Sequence, residues 1–516
     1  MFVGDIVRLN GLSRSRDVAI VFGEREVTYG ELNALVNRTA QALAASGVRK
    51  GGRVAALGRN SVEYVQLYFA AAKLGALLVP LSFWHRTGEL RYAVEDAEPA
   101  MIFCEPELRD PLQPVLDDVG FPLEAVDLPA QNGDRGEWDA FLARAASDAE
   151  PAVELEPSDI HMILYTSGTT GRPKGAMLSH ARTMLDAYAM AFAIRLRATD
   201  VFLNYFPSFH VGNWDHQKLF LLAGAKVVLL RDFDADTAIE LIPRHRATVV
   251  LGVPTMFHGI LGHPQFESTD VSSVRTVYYG AYDPSGIMQR VADAFGASDG
   301  RCDMFHTYGL TEGGPFVTIS PPEDLWSHWG SVGRAMPGVQ VALLDDRGEP
   351  VAPGEGGEIC VRGPRMTGYW RKPEATAEAL AGDWLHTGDV AVADEDGFLM
   401  IVDRKKDVIR SGGHNVYSKE IEDCLAGHDE VADVAVIGLP DEVYEERVCA
   451  VVVPRDGVGS DELADGIRSY VRSSLAGYNT PKEVRFVDAL PKNAVGKTQK
   501  HVLRARFGSV FDEARV

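Results

Sequence analysis

The sequence has little cysteine and no long apolar run, and both absences narrow the possible classes of protein. Only five of its 516 residues are cysteines, and none forms a C-x-x-C pair. A cysteine-based zinc site is therefore not expected, and buried thiols in a reducing, cytoplasmic compartment are the simplest interpretation. The longest apolar stretch, residues 74–84, contains Pro80 and is shorter than the ~20 residues of a membrane span. The first residues lack a basic region followed by an apolar core, so we predict no signal peptide.

Basic residues are scarce relative to acidic ones. The chain carries 51 Lys and Arg against 73 Asp and Glu, a formal net charge of −22. Because such a surface repels phosphate backbones on average, nucleic acid is not expected as the main partner. A single nucleotide can still bind, since one loop can supply backbone N–H groups and a few cations.

The remaining composition is that of a folded globular protein. Hydrophobic residues make up 46% and charged residues 24%, which excludes disorder, collagen-like repeats and a coiled coil as descriptions of the whole chain. The length exceeds that of one ordinary domain, so we expect at least two.

The first two-thirds of the chain alternate between helix and strand patterns. Thr28 and Glu31 have the spacing of a capping box, which predicts a helix that starts there. A strand at 53–57, a helix at 61–74 and a strand at 76–81 follow, and short apolar strands are predicted at 226–230, 248–251 and 275–279. Short buried strands of this kind are typical of parallel sheets, so we expect layered α/β subdomains.

The pattern changes near residue 330. Glycine-rich turns separate short strands there, which indicates β hairpins or a small β-barrel-like part. After residue 403 a smaller alternation returns, with a helix at 418–425 and strands at 431–437 and 448–453. The last ~110 residues have the size of a separate, small α+β domain.

The strongest local signal is the loop YTSGTTGRPKG at residues 165–175, between an apolar strand and a helical stretch. Its glycines let backbone N–H groups converge on an anion, its hydroxyls donate further hydrogen bonds, and Lys174 supplies positive charge. The spacing is not that of a Walker A loop. The alternative is a flexible surface loop, but such loops rarely combine so many glycines, hydroxyls and cations.

Four further motifs follow in order: YGLTE at 308–312, WLHTGD at 384–389, DRKKD at 403–407 with SGGHNVY at 411–417, and PKNAVGK at 491–497. Together with the glycine-rich loop, they resemble the motifs of the adenylate-forming superfamily of acyl-CoA synthetases, nonribosomal-peptide adenylation domains and beetle luciferases, in its acyl-CoA ligase branch. The resemblance covers essentially the whole chain. It implies an N-terminal adenylation core at 1–402, a hinge at residue 403 and a mobile C-terminal domain at 404–516.

The resemblance also implies two half-reactions. A carboxylate attacks the α-phosphorus of ATP to give an acyl-adenylate and pyrophosphate, and the thiol of coenzyme A then expels AMP. The expected enzyme is thus an AMP-forming acid–thiol ligase that uses ATP, Mg²⁺ and coenzyme A on a fatty or aryl acid. The alternatives are transfer to a carrier-protein thiol or an amine, or a nucleotide-binding homologue without catalysis. A homodimer is simply the commonest oligomer.

Positions that match the motifs of this superfamily give the expected nucleotide site. The adenylation lysine is Lys497, which can bridge the carboxylate and the α-phosphate, whereas Lys492 is expected at the surface. Glu312 with Thr166 is the expected magnesium site, since Mg²⁺ takes carboxylate and other oxygen ligands. The expected nucleotide-binding residues are Thr166, Ser167, Gly168, Thr169, Thr170, Gly171, Lys174, Gly280, Ala281, His306, Tyr308, Gly309, Thr311, Asp389, Arg404 and Lys497.

The sequence motifs say less about the acyl-binding pocket than about the nucleotide site. His210 follows Pro207-Ser208-Phe209 as in the family segment that borders the acyl pocket, and is expected to contact the carboxylate or close the thiol tunnel. The other expected pocket residues are Trp214, Tyr279 and Tyr282, with Asp215 and His216 at or near the pocket. The polar and aromatic residues favour an aromatic or medium-size acid over a very long chain.

Two segments are expected to serve the second half-reaction. Asp403 matches the hinge, although an ordinary turn residue is the alternative. Rotation there would withdraw Lys497 and bring the loop of Ser411, Gly412 and Gly413 toward coenzyme A.

Overall fold

The computed structural model describes residues 1–131, 133–166, 173–280, 286–411, 414–441, 443–492 and 498–508. The chain divides into two compact units, each made of several segments. Unit 1 comprises Met1–Tyr282, Ile287–Val341 and Val361–Thr387, and unit 2 comprises Asp283–Gly286, Ala342–Cys360 and Gly388–Val516. The expected domain boundary at residue 403 stays a prediction. None of the helices in the described ranges has the length and apolar character that a bilayer crossing requires.

The elements up to the glycine-rich loop alternate between helix and strand, as expected. They are α1 (Asp5–Ser13), β1 (Val18–Phe22), β2 (Arg25–Thr28), α2 (Tyr29–Ala45), β3 (Arg53–Leu57), α3 (Val62–Leu74), β4 (Leu77–Leu81), α4 (Thr87–Ala97), β5 (Met101–Cys104), α5 (Gln113–Leu116), β6 (Glu124–Asp127), α6 (Gly136–Leu142) and β7 (Ile160–Thr166).

The alternation continues after the loop. The elements are β8 (Lys174–Ser179), α7 (His180–Ala193), β9 (Val201–Asn204), α8 (Val211–Leu222), β10 (Lys226–Leu229), α9 (Ala235–His245), β11 (Val249–Gly252), α10 (Pro254–Gly262), β12 (Thr276–Gly280), α11 (Ile287–Phe295), β13 (Asp303–Leu310), β14 (Gly314–Ser320), α12 (Pro322–Leu325) and β15 (Arg334–Ala335).

Strands dominate the remainder of the chain. The elements are β16 (Gln340–Leu344), β17 (Gly356–Arg362), β18 (Gly368–Tyr369), α13 (Pro373–Ala379), β19 (Leu385–Ala393), β20 (Leu399–Arg404), β21 (Ile409–Ser411), β22 (His414–Val416), α14 (Ser418–Ala426), β23 (Val431–Asp441), β24 (Glu445–Pro454), α15 (Asp461–Ser474), β25 (Glu483–Phe486) and α16 (Lys500–Gly508).

Local sequence explains where several helices begin and end. The side chain of Thr28 accepts a hydrogen bond from the backbone N–H of Glu31, and the Glu31 carboxylate accepts one from the Thr28 backbone, so the predicted capping box is present. At the start of α3 the Ser61 side chain accepts a hydrogen bond from the Tyr64 backbone N–H, and Gly75 ends that helix with a left-handed backbone conformation.

Two large sheets form the framework of unit 1. Nine strands pair in the order β15-β14-β13-β12-β11-β9-β10-β1-β2, and seven pair in the order β18-β8-β7-β4-β3-β5-β6. The neighbours from β13 to β1 run parallel, as do those from β7 to β6. The prediction of layered, parallel α/β subdomains is confirmed. Because the carboxyl ends of parallel strands meet at one edge, the loops after β9, β11 and β12 share an edge of the larger sheet.

Helix α8 is buried over nearly its whole length. It packs against α1, α7, β9, β10 and β14. Its polar residues are buried together with its apolar ones, including Asp215, His216 and Lys218. Since buried polar groups need partners, this helix is a place where ligands or buried ion pairs are expected.

Unit 2 contains most of a four-stranded sheet and the small domain that follows it. The four strands pair in the order β16-β17-β19-β20, in the region where hairpins or a small barrel were expected. A second sheet has the order β22-β21-β24-β23, with β25 beside β24, and α14 and α15 pack in the same unit. The small α+β domain of the sequence analysis is therefore present.

Candidate active site

The glycine-rich segment connects two antiparallel strands. Thr166 ends β7, Lys174 begins β8, and the two residues are partners in the strand register. The segment between them, with the predicted phosphate-binding residues Ser167, Gly168, Thr169, Thr170 and Gly171, lies outside the described residues. The structure describes the base of this loop on β7 and β8, next to the edge strand β18 of the seven-stranded sheet.

Three side chains meet beside the base of that loop. The hydroxyl of Thr166 donates to Oε1 of Glu312 at 2.9 Å, and the hydroxyl of Tyr369 donates to the same oxygen at 3.1 Å. Among the described residues, none donates to Oε2 of Glu312. Lys174 Nζ lies 5.1 Å from the centre of the Tyr369 ring, so a cation completes the cluster.

Tyr369 was not singled out by its sequence, because nothing near it marks an active site. Burial, followed by the charge of Glu312, raises the pKa of its hydroxyl. The phenol therefore stays protonated and remains a hydrogen-bond donor at neutral pH. Its effect is to fix one oxygen of the Glu312 carboxylate, while the other has no donor in the part of the chain that the structure describes.

The predicted adenine residues lie on β12 and β13. Tyr308 is largely buried, and a Cβ on Gly309 would come within 2.1 Å of the Pro315 backbone oxygen, so only glycine fits there. The next strand, β12, ends at Gly280, where an added Cβ would meet Thr307 Oγ1 at 3.4 Å. The following residue, Ala281, lies outside the described residues.

His306 on β13 and Tyr279 on β12 are partners in the strand register, one position before the pair of Gly280 and Thr307, and their rings stack. Their ring centres are 4.2 Å apart with an interplanar angle of 9°. Nδ1 of His306 lies 2.6 Å from the backbone oxygen of Ser331, which fixes the ring. Tyr279, predicted in the acyl pocket, is thus held against the His306 ring on one face of the sheet.

A buried arginine supports the loop that carries Glu312. Arg182 on α7 donates from Nη2 to the backbone oxygen of Thr311 at 3.1 Å. Its Nε lies 3.0 Å from Asp186 Oδ2, and both side chains are 2% exposed. Sequence reasoning missed this residue, since it lies 129 positions from its partner with no motif around it.

Helix α8 begins at the predicted acyl residue His210. Nδ1 of His210 accepts a hydrogen bond from the Gly212 backbone N–H at 3.0 Å, so the imidazole caps the helix. Trp214 lies one turn further, stacks on Tyr68 at 4.4 Å and donates from Nε1 to the Ser208 backbone oxygen. Trp214 therefore contributes to the packing of α8 on α3, while Tyr282 lies outside the described residues.

Unit 2 carries the predicted ribose residues. Asp389 on β19 and Arg404 on β20 are register partners, with Arg404 Nε 2.8 Å from Asp389 Oδ1. The aspartate side chain is 9% exposed and the arginine side chain 44%. The guanidinium thus orients the Asp389 carboxylate, and the binding of ribose hydroxyls by this pair stays a prediction.

The predicted hinge residue is tied to the small domain by its side chain. Oδ2 of Asp403 accepts hydrogen bonds from the Ser418 backbone N–H at 2.5 Å and from its hydroxyl at 2.7 Å. These contacts satisfy the first turn of α14, where an acid also interacts favourably with the helix dipole. Asp403 is therefore more than a surface turn residue, and its role as a hinge stays a prediction.

Three further predicted residues lie outside the described residues. They are Lys497, expected in adenylation, and Gly412 and Gly413, expected on the coenzyme A side. Ser411 ends β21, where it pairs with His414 of β22. Lys492, expected at the surface, is half exposed and forms an ion pair with Asp433 at 2.7 Å.

Comparisons with known proteins agree with the geometry. Residues 10–370 match the AMP-binding enzyme family, and residues 420–497 match the AMP-binding enzyme C-terminal domain. A feruloyl-CoA synthase from Amycolatopsis sp is 39% identical over 95% of this chain and 96% of its own length. An indoleacetate–CoA ligase from Aromatoleum aromaticum is 38% identical over 94% of each chain. ATP-bound MatB from Rhodopseudomonas palustris has 33% identity and a TM-score of 0.85, covering 99% of this chain and 100% of its own. The chain belongs to the AMP-binding enzyme family, the adenylate-forming enzymes.

Proposed function

We propose that this protein is an AMP-forming acid–thiol ligase that activates a carboxylic acid with ATP and transfers the acyl group to coenzyme A. The similar proteins named as CoA ligases support this activity. The first step joins the acid carboxylate to the α-phosphorus of ATP and releases pyrophosphate. The second joins the coenzyme A sulfur to the acyl carbon, with loss of the thiol proton and release of AMP.

The observation that carries the proposal is the cluster of Thr166, Glu312 and Tyr369. It unites the end of the glycine-rich loop with the 308–312 motif, although the two are 146 residues apart in sequence. Lys174 adds a positive charge at the same place. An anion-binding loop beside an oriented carboxylate is what a metal–triphosphate substrate requires.

The donor set at this cluster suits Mg²⁺. Both hydroxyl donors hold Oε1 of Glu312, so Oε2 and the hydroxyl oxygen of Thr166 are the hard oxygen atoms that would hold the ion. When bound with the triphosphate, Mg²⁺ neutralises part of the phosphate charge. Magnesium dependence is a part of this proposal.

Both reactants of the first step are anions, so positioning and charge neutralisation dominate its barrier. We assign Lys497 to the bridge between the acid carboxylate and the α-phosphate. Asp389 would bind the ribose hydroxyls and Tyr308 would stack on adenine. His210, whose Nδ1 is committed to the start of α8, would present the remainder of its ring to the acid.

The remaining expectations about partners stay predictions. They are the absence of nucleic acid as a partner, which rests on the net charge, the homodimer, and the compartment inferred from cysteine usage. The structure describes Cys104, Cys302, Cys360 and Cys449 as buried thiols and Cys424 as partly buried.

The experiment is pyrophosphate release with ATP and Mg²⁺ against a panel of fatty and aryl acids, with and without coenzyme A. We expect acid-dependent release that turns over repeatedly only when coenzyme A is present, together with an acyl-CoA product detected by mass spectrometry. Repeated turnover that is unaffected by coenzyme A would point to another acceptor. ATP binding with no release for any acid would contradict the proposal and favour a catalytically inactive homologue.

A further inference from the structure

Two buried polar atoms between α8 and β12 have no hydrogen-bond partner among the described residues. They are Nε2 of His216 and Oη of Tyr278. The ring centres of the two residues are 5.3 Å apart. A buried donor or acceptor left unmet costs about 1–3 kcal/mol, so a group that forms hydrogen bonds with both atoms would be stabilised there.

The hydrogen-bonding state of His216 follows from its other nitrogen. Nδ1 lies 2.5 Å from the backbone oxygen of Gly212, and a carbonyl only accepts, so Nδ1 carries the proton. Burial lowers the pKa of His216 to about 4, so the ring is neutral at neutral pH. Nε2 is therefore an acceptor with a free lone pair.

The hydrogen-bonding state of Tyr278 is complementary. Burial raises the pKa of its hydroxyl, so Oη keeps its proton and can donate or accept. A hydroxyl group that reaches both atoms can donate to Nε2 of His216 and accept from Oη of Tyr278. A ring N–H could satisfy only the histidine, and a carbonyl only the tyrosine.

The surroundings of the pair are aromatic. Phe316 has its ring centre 5.8 Å from that of His216 and 5.7 Å from that of Tyr278. Phe206 lies 6.4 Å from His216 and 6.2 Å from His210. These rings connect the pair to the residue expected at the acid carboxylate, and aromatic walls suit a flat ring.

The distance of His216 and Tyr278 from His210 suits the far end of an acid whose carboxylate lies near His210. His216 lies six residues after His210, about 9 Å along the helix axis. Tyr278 lies two residues before Gly280 on the strand that ends beside the expected nucleotide site. Its side chain faces α8, whereas Tyr279 faces the opposite side of the sheet and stacks on His306.

We propose that His216 and Tyr278 form a polar subsite that binds a hydroxyl group on the distal end of an aromatic acid substrate. This inference rests on the proposed function, since it names the substrate class of that activity. Trp214 lies two residues from His216, on the opposite face of α8, and takes no part in the subsite.

The test compares matched acids that differ by one hydroxyl, 4-hydroxycinnamic against cinnamic acid and 4-hydroxyphenylacetic against phenylacetic acid. The wild type is expected to favour the hydroxylated member of a pair by about tenfold or more in kcat/KM, because a site built for a hydroxyl rejects the analogue that lacks it. Tyr278→Phe removes one oxygen atom and should lower kcat/KM for that acid by about tenfold. The quantity compared between wild type and variant is the ratio of kcat/KM for the two members of a pair.

Two more variants keep the result interpretable. Tyr64→Phe is the matched control, since its buried hydroxyl already donates to the Ala56 backbone oxygen at 3.0 Å. It should leave the preference between the paired acids unchanged. His216→Gln, which keeps a polar group of similar reach, gives a second route to the answer if Tyr278→Phe folds poorly, and it too should reduce the preference.

Direct binding separates this inference from the proposed function. Titration calorimetry of each acid into the unreacted enzyme needs no turnover. Tighter binding of the hydroxylated acid, weakened by Tyr278→Phe, supports the subsite even if no pyrophosphate is released, in which case the proposed function alone fails. Pyrophosphate release with no preference within either pair overturns the subsite and leaves the proposed function standing. Failure of every acid to bind overturns both.

Discussion

The hydroxyl of Thr166 donates a hydrogen bond of 2.9 Å to Oε1 of Glu312. Thr166 ends the strand before the glycine-rich loop, and Glu312 follows the strand that carries Tyr308. The bond therefore connects the base of the expected phosphate-binding loop to the expected magnesium ligand within unit 1. Tyr369 holds the same carboxylate oxygen from β18, so the orientation of Glu312 is fixed from two sides.

Removing the charge of Glu312 should disable adenylation. Glu312→Gln keeps the size of the side chain and should lower kcat for pyrophosphate release by about 10²–10³-fold, because a preorganised charged group is lost. Thr166→Val should cost about tenfold, since it removes one bond that orients the carboxylate.

Glu323→Gln is the control for both variants, because Glu323 is an exposed partner of Arg195. Wild-type rates are expected for this control. A Glu312→Gln enzyme with unchanged kcat and an unchanged magnesium titration would contradict the assignment of Glu312.

The pair of Asp389 and Arg404 predicts discrimination between sugars. Asp389→Asn should raise KM for ATP by about tenfold and change kcat much less, because a ground-state contact to the ribose is weakened. The wild type should use 2′-deoxy-ATP or 3′-deoxy-ATP poorly, and the variant should lose part of that preference. Steady-state kinetics with the three nucleotides measures both effects, and equal loss with all three would argue against a ribose contact.

The contacts of Asp403 predict an effect on stability. Asp403→Ala removes both hydrogen bonds to Ser418 and should destabilise the start of α14 by about 1–2 kcal/mol. Hydrogen exchange of the α14 amides in the full chain reports this directly. Asp423→Ala, on the same helix but bound to Lys419 near the surface, is the control.

Asp403→Ala also distinguishes a hinge role of Asp403 from a purely structural one. A hinge residue should affect thioester formation from a preformed acyl-adenylate differently from adenylation itself. An equal loss in the two half-reactions would leave Asp403 as a structural residue only.

Asp186 predicts a pH dependence of stability. Burial raises its pKa to about 7, although Arg182 opposes the shift and Asp215 adds to it. Between about pH 4 and pH 7 the folded protein therefore retains a proton on Asp186 that the unfolded chain has released. The free energy of unfolding then falls as the pH rises through this range, and Asp186 causes no further change above about pH 7. Asp186→Asn should remove that contribution.

Urea unfolding of the wild type and Asp186→Asn at pH 5 and pH 8 measures the difference. The stability of the wild type should fall more between the two pH values than that of the variant. A difference of the opposite sign would show that Asp186 is ionised in its pair with Arg182.

Local features of the fold could be predicted from the sequence because neighbouring residues determine them. The capping box of Thr28 and Glu31 and the parallel strand β3 are of this kind. The proximity of Thr166 to Glu312 was implied only by the family resemblance, since no local pattern relates distant segments. Tyr369 and Arg182 could not be found at all, because their roles depend on contacts that only the folded chain creates.

Tyr278 illustrates the same limit within the substrate region. Its neighbour Tyr279 was the residue predicted in the acyl pocket, but strand alternation places the two rings on opposite faces of the sheet. Which tyrosine faces α8 depends on the register of β12 against its neighbours, and this is a property of the tertiary structure.

The most direct test of the account separates the two half-reactions in Lys497→Ala, with Lys492→Ala as the matched control. Lys492 is bound to Asp433, so its loss should leave both half-reactions near the wild-type rates. Lys497→Ala should lower acid-dependent pyrophosphate release by about 10²–10³-fold, because a preorganised cation is lost, yet still convert a supplied acyl-adenylate to the coenzyme A thioester. Equal pyrophosphate release from both variants would contradict the claim that this chain forms an acyl-adenylate with Lys497.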